Sequence, residues 1–289
     1  MLVDLIQTTT RDGVRLDGML QTPKSGSGSA WPVDGLCFVH GTGGNFYAST
    51  LFDTLAERCL ECGCAVLRVN TRGHDGISNA VTTKGGRRLG AAYEQVDDCR
   101  HDLCGWIDLL KERVGSRVGL LGHSLGAVKC LYTLAHDSTL KVACAIAISP
   151  PRLSYAWFCG SPEGPRFLET YSRADALVQA GQPGAILEVD LPLPMAIAAA
   201  GYVEKYGPDE RYNYINSLKA IRVPTLITLG ELEATGNMAF RAAAEEIAAA
   251  KRPNVNVTTL PGADHFYSQA RLALVNCIDG WLTEKHGEL

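Results

Sequence analysis

Short apolar runs alternate along the chain with stretches in which apolar residues recur every three or four positions. The runs at residues 36–39, 65–69 and 118–121 are continuous, which is typical of strands buried on both faces of a sheet. Helical spacing of apolar residues follows these runs, at residues 52–59, 96–110 and 128–135. The pattern predicts strands that alternate with helices.

The same alternation is present near the end of the chain. We predict strands at 142–148, 225–229 and 255–260, and helices at 238–250 and 275–282. Before the first buried strand, residues 2–22 contain two short β-like runs around Arg11-Asp12-Gly13, which predicts a hairpin. Strand–helix alternation favours a mostly parallel sheet with helices on both faces.

The segment 150–222 interrupts this rhythm. It contains nine of the 21 aromatic residues in only a quarter of the chain, and the strand–helix alternation resumes after it. We therefore predict a core domain formed by residues 1–149 and 223–289, with residues 150–222 inserted as a cap.

Composition and charge exclude several classes of function. The chain has 289 residues, 27 basic and 31 acidic, and a formal net charge of −4. It has no cluster of basic residues, so nucleic-acid binding is not expected. Residues 1–6 contain an acid and no basic residue, unlike a secretory signal, and no apolar stretch is long enough to span a bilayer. We expect a cytoplasmic protein.

Ten cysteines are numerous, but a chain of this length does not depend on disulfides for its stability. Cys59, Cys62 and Cys64 are close together, yet no second pair of ligands follows at the spacing of a zinc site. Cys37 and Cys144 lie in apolar runs, as small core residues do. No metal site is predicted.

The strongest chemical signal is Gly122-His123-Ser124-Leu125-Gly126, which lies between a buried strand and a helix. A nucleophilic serine needs its hydroxyl above the sheet on a tight strand-to-helix turn, and small flanking residues leave room for that turn. We predict that Ser124 is a nucleophile.

A serine hydroxyl needs a base to take its proton. Of the seven histidines, His265 follows the last strand in a loop and gives the chain order serine, acid, histidine. The others lie in motifs (His40, His123), helices (His101, His136), an Arg-Gly-His-Asp loop (His74) or the terminal tail (His286).

The base in turn needs a buried carboxylate to orient it. Glu231 and Glu233 both follow the strand at 225–229, and we choose Glu233 because it lies three residues past Gly230. Glu231 stays open as an alternative. Asp264 is adjacent to His265 in sequence, so we expect it to orient the loop.

Two backbone amides should stabilise the oxyanion of an acyl-transfer reaction. We assign them to Leu125 and to Thr42, which lies in the glycine-rich turn His40-Gly41-Thr42-Gly43-Gly44. The turn lacks the motifs of nucleotide-binding loops, so phosphate binding is not expected. His40 is expected to brace the turn.

Together these motifs resemble the α/β-hydrolase superfamily, in particular serine esterases and lipases with an inserted cap. The resemblance extends over residues 35–282. It implies an eight-stranded, mostly parallel sheet, a nucleophile at Ser124, a base at His265 and an acid at Glu233, with Thr42 and Leu125 as the oxyanion hole. The chain departs from the common pattern in having Glu where Asp is more usual. Residues 70–75 resemble a turn that many members have beside the site.

We therefore expect hydrolysis of a carboxylic ester through an acyl-enzyme, without metal or cofactor. The aromatic residues of the cap suggest an apolar or aromatic substrate, although they could equally pack the cap on the core. An amidase, thioesterase, lactonase or carbon–carbon hydrolase with the same triad stays an alternative, because fold does not fix the bond cleaved. A slow-turnover ligand receptor is a second class. A homo-oligomer is possible.

Overall fold

The computed structural model describes residues 3–24 and 28–285. Within these ranges there are twelve strands. They are β1 (Asp4–Thr9), β2 (Arg15–Gln21), β3 (Gly35–Val39), β4 (Ala65–Val69), β5 (Ser78–Thr82), β6 (Gly85–Leu89), β7 (Val118–His123), β8 (Ala145–Ile148), β9 (Ile186–Val189), β10 (Met195–Ala198), β11 (Thr225–Gly230) and β12 (Val255–Leu260).

The described ranges also contain ten α-helices and two short 3₁₀ turns. The helices are α1 (Thr50–Glu61), α2 (Cys99–Val114), α3 (Leu125–His136), α4 (Tyr155–Cys159), α5 (Gly164–Gln179), α6 (Ala199–Tyr206), α7 (Tyr214–Ser217), α8 (Glu231–Gly236), α9 (Ala243–Ala249) and α10 (Arg271–Glu284).

Eight strands form one sheet in the order β1-β2-β4-β3-β7-β8-β11-β12. The six strands from β4 to β12 in that order are parallel, and β2 is antiparallel to both of its neighbours. The predicted eight-stranded, mostly parallel sheet is confirmed. The carboxyl ends of the parallel strands therefore lie along one edge, where loops can place side chains together.

Helices cover both faces of the sheet. Leu36 and Phe38 of β3 pack with α1 and α10 on one face, and the alternating Cys37 and Val39 pack with α2 on the other. Such alternation follows from the two-residue period of a strand. Because both faces of the sheet are buried, β3, β4, β7 and β8 are apolar almost throughout. This explains the continuous apolar runs from which the strands are predicted.

The hairpin at the start of the chain pairs β1 with β2, and Gly13 in its turn has a φ of 88°. Residue 2, at the edge of the predicted hairpin, lies outside the described residues. A second hairpin, β5–β6, was not predicted, because its residues have no clear apolar alternation and four of the five in β6 are exposed.

Two predicted elements are shorter in the structure. The strand at 142–148 is β8, which begins at Ala145. The helix at 238–250 is α9, which begins only at Ala243, because Ala242 adopts a left-handed conformation with a φ of 56° and interrupts the helical backbone. Its apolar neighbour Phe240 is buried in the preceding turn, which explains the apparent helical spacing.

The segment 150–222 leaves the main sheet after β8 and returns at β11. It contains α4 to α7 and the two-stranded hairpin β9–β10. Phe158, Phe167 and Tyr202 are buried in a cluster that also includes Leu131 of α3 and Ile227 of β11. The segment is thus packed on the sheet and on α3 through its aromatic side chains.

Candidate active site

Ser124 occupies the tight turn between β7 and α3. Its backbone has φ 56° and ψ −127°, a conformation that is costly for a residue with a side chain. The turn is fixed by the hydrogen bond from Ser124 N to Ile148 O, at 2.9 Å. The strain presents the hydroxyl at the carboxyl edge of the sheet.

The glycines beside Ser124 are required by close approach of backbone. A Cβ atom on Gly126 would lie 2.1 Å from Val39 O, and one on Gly122 would lie 2.4 Å from Gly126 O. Both distances are far inside van der Waals contact, so neither position can carry a side chain without moving main chain. The G-x-S-x-G pattern therefore reflects packing of α3 against β3 and β7.

His265 lies in the loop between β12 and α10, with its imidazole beside Ser124. Its Nε2 is 3.0 Å from Ser124 Oγ, and its Nδ1 is 2.6 Å from Glu233 Oε2. Because a carboxylate can only accept, Nδ1–H donates to Glu233, and Nε2 accepts the proton of Ser124. The structure thus brings the three predicted residues into one hydrogen-bonded chain.

The two candidate glutamates have different surroundings. Glu233 is buried on α8, and its Oε1 accepts a hydrogen bond of 2.7 Å from Gly230 N. Glu231 is exposed, and its Oε2 accepts from Gly262 N at 2.8 Å. Glu233 is therefore the glutamate that contacts the imidazole, whereas Glu231 ties α8 to the loop after β12.

A buried group of hydroxyls supports Glu233, and sequence reasoning missed it. Ser149, directly after β8, donates its hydroxyl hydrogen to Glu233 Oε1. Tyr267 Oη lies 3.0 Å from Ser149 Oγ and 3.1 Å from Thr228 Oγ1. Burial raises the pKa of Tyr267, so its phenol keeps its proton. The only available signal was the position of Ser149 at the end of a parallel strand.

His123 is a second residue whose role the sequence did not reveal. Its Nε2–H donates to the carbonyl oxygen of His265 at 2.8 Å. Burial and the neighbouring His265 lower the pKa of His123 to about 3, so it stays neutral at physiological pH. His123 therefore holds the loop that carries His265, and the signal for it was adjacency to Ser124.

Asp264 organises the same loop. Its Oδ1 accepts from Phe266 N at 3.0 Å and from Ser268 N at 2.8 Å, and these hydrogen bonds, with that of Ser268 first, lower the pKa of its carboxyl. The remaining histidines lie elsewhere: His101 on α2, His136 at the end of α3, and His74 against Asp75. His286 lies outside the described residues.

The glycine-rich turn 40–44 lies against Ser124. A Cβ on Gly41 would be 2.9 Å from Ser124 Cβ, so the turn is in direct contact with the serine. Thr42 lines the same pocket as Ser124. Leu125 is the first residue of α3, where backbone amides have no acceptor within the helix. Leu125 thus follows the serine directly and Thr42 lines the same pocket, and their assignment to the oxyanion hole stays a prediction.

A buried polar chain fixes this turn from behind. Lys129 of α3 donates to Thr71 Oγ1 at 2.9 Å, and the Thr71 hydroxyl lies 3.2 Å from His40 Nε2. His40 Nδ1–H donates to Gly41 O at 2.8 Å. Burial and the charge of Lys129 lower the pKa of His40 to about 3. A neutral His40 therefore braces the turn, as the sequence predicts.

The charge of Lys129 is balanced inside the protein. Lys129 forms an ion pair with Glu94, and both side chains are fully buried. Burial acts to raise the pKa of Glu94, but Lys129 and Lys205 outweigh it and hold that pKa below its ordinary value. Lys205 comes from α6, and burial lowers its pKa. The ion pair thus joins α3 to the loop between β6 and α2, and Lys205 brings a second positive charge from the segment 150–222 to the same carboxylate.

The family model of the alpha/beta hydrolase family matches residues 38–276. The chain belongs to the alpha/beta hydrolase family. The comparison with curated protein sequences finds no relative.

Solved structures of this fold resemble the whole chain. Est1E from Butyrivibrio proteoclasticus, with ferulic acid bound, is 18% identical with a TM-score of 0.65, covering 96% of this chain and 98% of Est1E. GrgF from Penicillium sp. sh18, an alpha/beta hydrolase, is 19% identical with a TM-score of 0.70, covering 100% of both chains. The Pyrococcus furiosus esterase Pf2001 is 17% identical with a TM-score of 0.61, covering 98% of this chain and 91% of the esterase.

This alpha/beta hydrolase has a pocket of about 690 Å³ above Ser124 and His265. Apolar side chains from three regions line it: Leu51 after the glycine-rich turn, Leu193 and Met195 from the β9–β10 hairpin, and Phe266 beside the imidazole. None of the nine aromatic residues of segment 150–222 is among the described residues that line it. These aromatics pack the segment on the core.

The cysteines of this alpha/beta hydrolase are all free, and eight of the ten are buried. Over residues 3–24 and 28–285, no group of three or more His, Cys, Asp or Glu side chains is placed to hold a metal ion. The same ranges contain no helix that is both long and apolar enough to cross a membrane.

Proposed function

We propose that this alpha/beta hydrolase is a serine esterase that cleaves a carboxylic ester through an acyl-enzyme intermediate. The observation that carries the proposal is the hydrogen-bonded chain Ser124–His265–Glu233 at the floor of the pocket. Each member has the contact that its role requires: a hydroxyl on a base, and a base on a buried carboxylate.

In the first step Ser124 Oγ attacks the ester carbonyl while its proton moves to His265 Nε2. Glu233 stabilises the resulting imidazolium, and the backbone amides of Thr42 and Leu125 donate to the oxyanion. His265 then returns the proton to the leaving alkoxide as the carbon–oxygen bond breaks.

In the second step His265 takes a proton from water, which attacks the acyl-enzyme and releases the acid. Ser124 regains its proton from His265, so the cycle needs no metal or cofactor.

Two further features support an ester as substrate. Est1E and the Pf2001 esterase, whose structures resemble this chain, act as a fold-level precedent. The pocket is mostly apolar around the serine and is open to a small molecule. Within the proposal, residues 150–222 are the cap, because their β9–β10 hairpin supplies Leu193 and Met195 to the pocket wall. A cytoplasmic location and a homo-oligomer stay predictions.

The alternative functions would use the same nucleophile, base and pocket. An amidase, thioesterase, lactonase or carbon–carbon hydrolase would use the same nucleophile and base on another bond. A slow-turnover receptor would use the pocket to bind a ligand and retain the acyl group.

The test combines labelling with turnover. Wild-type protein should react with a fluorophosphonate probe and hydrolyse p-nitrophenyl esters faster than matched aryl amides, thioesters or lactones. Ser124→Ala should lose both, whereas Ser138→Ala, at an exposed position after α3, should keep both. Labelling of Ser124→Ala would refute the nucleophile. A stoichiometric burst without steady-state turnover would favour the receptor.

A further inference from the structure

The pocket above Ser124 contains one permanent charge. The described residues that line it include no Asp, Glu or Lys, and Arg271 is the only arginine among them. It is the first residue of α10 and lies in the wall that also contains Ser268 and Phe266. The remaining wall is apolar or neutral, so nothing in it offsets the guanidinium charge.

Neutral groups of the protein hold this guanidinium in place. Arg271 Nη2 donates to Thr50 Oγ1 at 2.7 Å, and Nη1 lies 3.4 Å from Thr50 O. Its Nε is buried without a hydrogen-bond partner, and no carboxylate in the described part of the chain lies within ion-pair distance. The side chain is partly buried.

This situation sets Arg271 apart from the three arginines that are fully buried. Arg68, Arg72 and Arg152 each form an ion pair with an aspartate or glutamate. A cation that is positioned by neutral acceptors in a binding pocket keeps its attraction for an anion, and a guanidinium presents donors that match a carboxylate.

We propose that Arg271 binds a carboxylate of the substrate, so that the preferred substrate is an ester with an apolar body and a free carboxylate. The inference rests on the proposed esterase function, because it places the carboxylate in the pocket that presents the ester to Ser124. The carboxylate would neutralise Arg271 and supply an acceptor on the guanidinium.

The experiment uses two pairs of esters that differ in charge. Mono-4-nitrophenyl adipate and 4-nitrophenyl hexanoate place the carboxylate or a methyl group on the acyl side. 4-Carboxyphenyl hexanoate and 4-carbamoylphenyl hexanoate place a carboxylate or a neutral amide on the alcohol side. The measured quantity is the ratio of kcat/KM for the charged ester to kcat/KM for the neutral ester, within each pair.

Arg271→Gln should lower this ratio about tenfold for at least one pair, because a charge-assisted hydrogen bond is lost. Arg271→Lys should restore part of it. Arg117→Gln is the matched control: it removes the same charge from an exposed arginine that pairs with Asp34 just before β7, far from the carboxyl edge of the sheet. Its ratio should equal that of the wild type.

A ratio that changes less than about twofold in Arg271→Gln for both pairs would overturn the proposal, given that a tenfold effect is about 1.4 kcal/mol. An equal fall in kcat/KM for charged and neutral esters would also overturn it, because Arg271 would then only fasten α10 to Thr50. Failure of the esterase function itself would be distinct: no ester would be hydrolysed and Ser124 would not be labelled.

Binding to Ser124→Ala tests the carboxylate separately from turnover. This variant should bind the charged ester of the preferred pair more tightly than the neutral one, measured by calorimetry. Adding Arg271→Gln should remove the difference, and a difference that persists in the double variant would refute Arg271 as the carboxylate partner.

Discussion

Ser149 donates its hydroxyl hydrogen to Glu233, the carboxylate that also accepts from His265. The two residues follow neighbouring parallel strands, β8 and β11, so the sheet itself brings them together. Ser149 and Gly230 N both bind Oε1, which leaves Oε2 directed at the imidazole. The carboxylate is thereby held in one orientation.

We expect Ser149→Ala to lower kcat about tenfold while changing KM little, because losing one buried hydrogen bond costs about 1–2 kcal/mol in orientation of the carboxylate. Steady-state kinetics on a p-nitrophenyl ester measures the effect. Thr228→Val, which removes a buried hydroxyl that contacts Tyr267 and not Glu233, is the matched variant and should retain more activity. Equal loss in both variants would show that the hydrogen bond from Ser149 to Glu233 has no special importance.

Substitution of each of the two glutamates after β11 tests which of them orients His265. Glu233→Gln should lower kcat by about three to four orders of magnitude, because an amide neither balances the imidazolium nor fixes the tautomer of His265. Glu231→Gln should stay within about fivefold of the wild type, since its carboxylate is exposed and accepts only from Gly262 N in the described structure. Measurement of kcat at one pH decides between them, and equal losses or the reverse order would contradict the assignment.

The succession of strands and helices along the chain, and the place of Ser124 between a strand and a helix, could be predicted because they depend on local signals. Continuous apolar runs mark strands covered on both faces, and glycines mark positions where backbone approaches backbone. Gly126 is an example, since its Cβ would meet Val39 O. These signals predict a mostly parallel sheet with helices on both faces, and the α/β-hydrolase fold is inferred from the resemblance of the motifs to that superfamily.

The supporting contacts could not be predicted, because they join residues far apart in sequence. Ser149 lies 84 positions from Glu233, and His123 lies 142 positions from His265. Neither residue type is unusual at its place in the sequence. The interruption before α9 was also hidden, because the left-handed backbone of Ala242 is at odds with the helical preference of alanine.

The close approach of backbone at Gly126 gives a prediction about stability. Gly126→Ala should destabilise the protein by about 3 kcal/mol or more, because its Cβ would meet the main-chain oxygens of Val39 and His40 at 2.1 and 2.5 Å. Urea unfolding measures the free energy of unfolding.

Gly280→Ala is the control for this substitution. Gly280 lies within α10 and its Cβ would meet no atom within 4 Å, so alanine should stabilise the helix by about 0.5–1 kcal/mol. A Gly126→Ala protein as stable as the wild type would show that α3 can move away from β3 at little cost.

The buried histidines predict how stability depends on pH. His40 and His123 have native pKa values of about 3, below the ordinary value of 6.5, chiefly because burial disfavours the charged form. Between these values the unfolded chain binds protons that the native protein does not. Above about pH 6.5 these two histidines therefore do not reduce the free energy of unfolding. As the pH is lowered towards 3, that free energy falls by about 1.4 kcal/mol per pH unit for each histidine.

His123→Gln isolates one of these contributions, because glutamine carries no titrating proton and can still donate to His265 O. The carboxylates are the same in both proteins, so the difference between their slopes of unfolding free energy against pH reports His123 alone. From urea unfolding between pH 6 and pH 4, we expect the slope to decrease by about one proton. Parallel slopes would mean that His123 takes up a proton in the native state, and its hydrogen bond to His265 would then be made by an imidazolium.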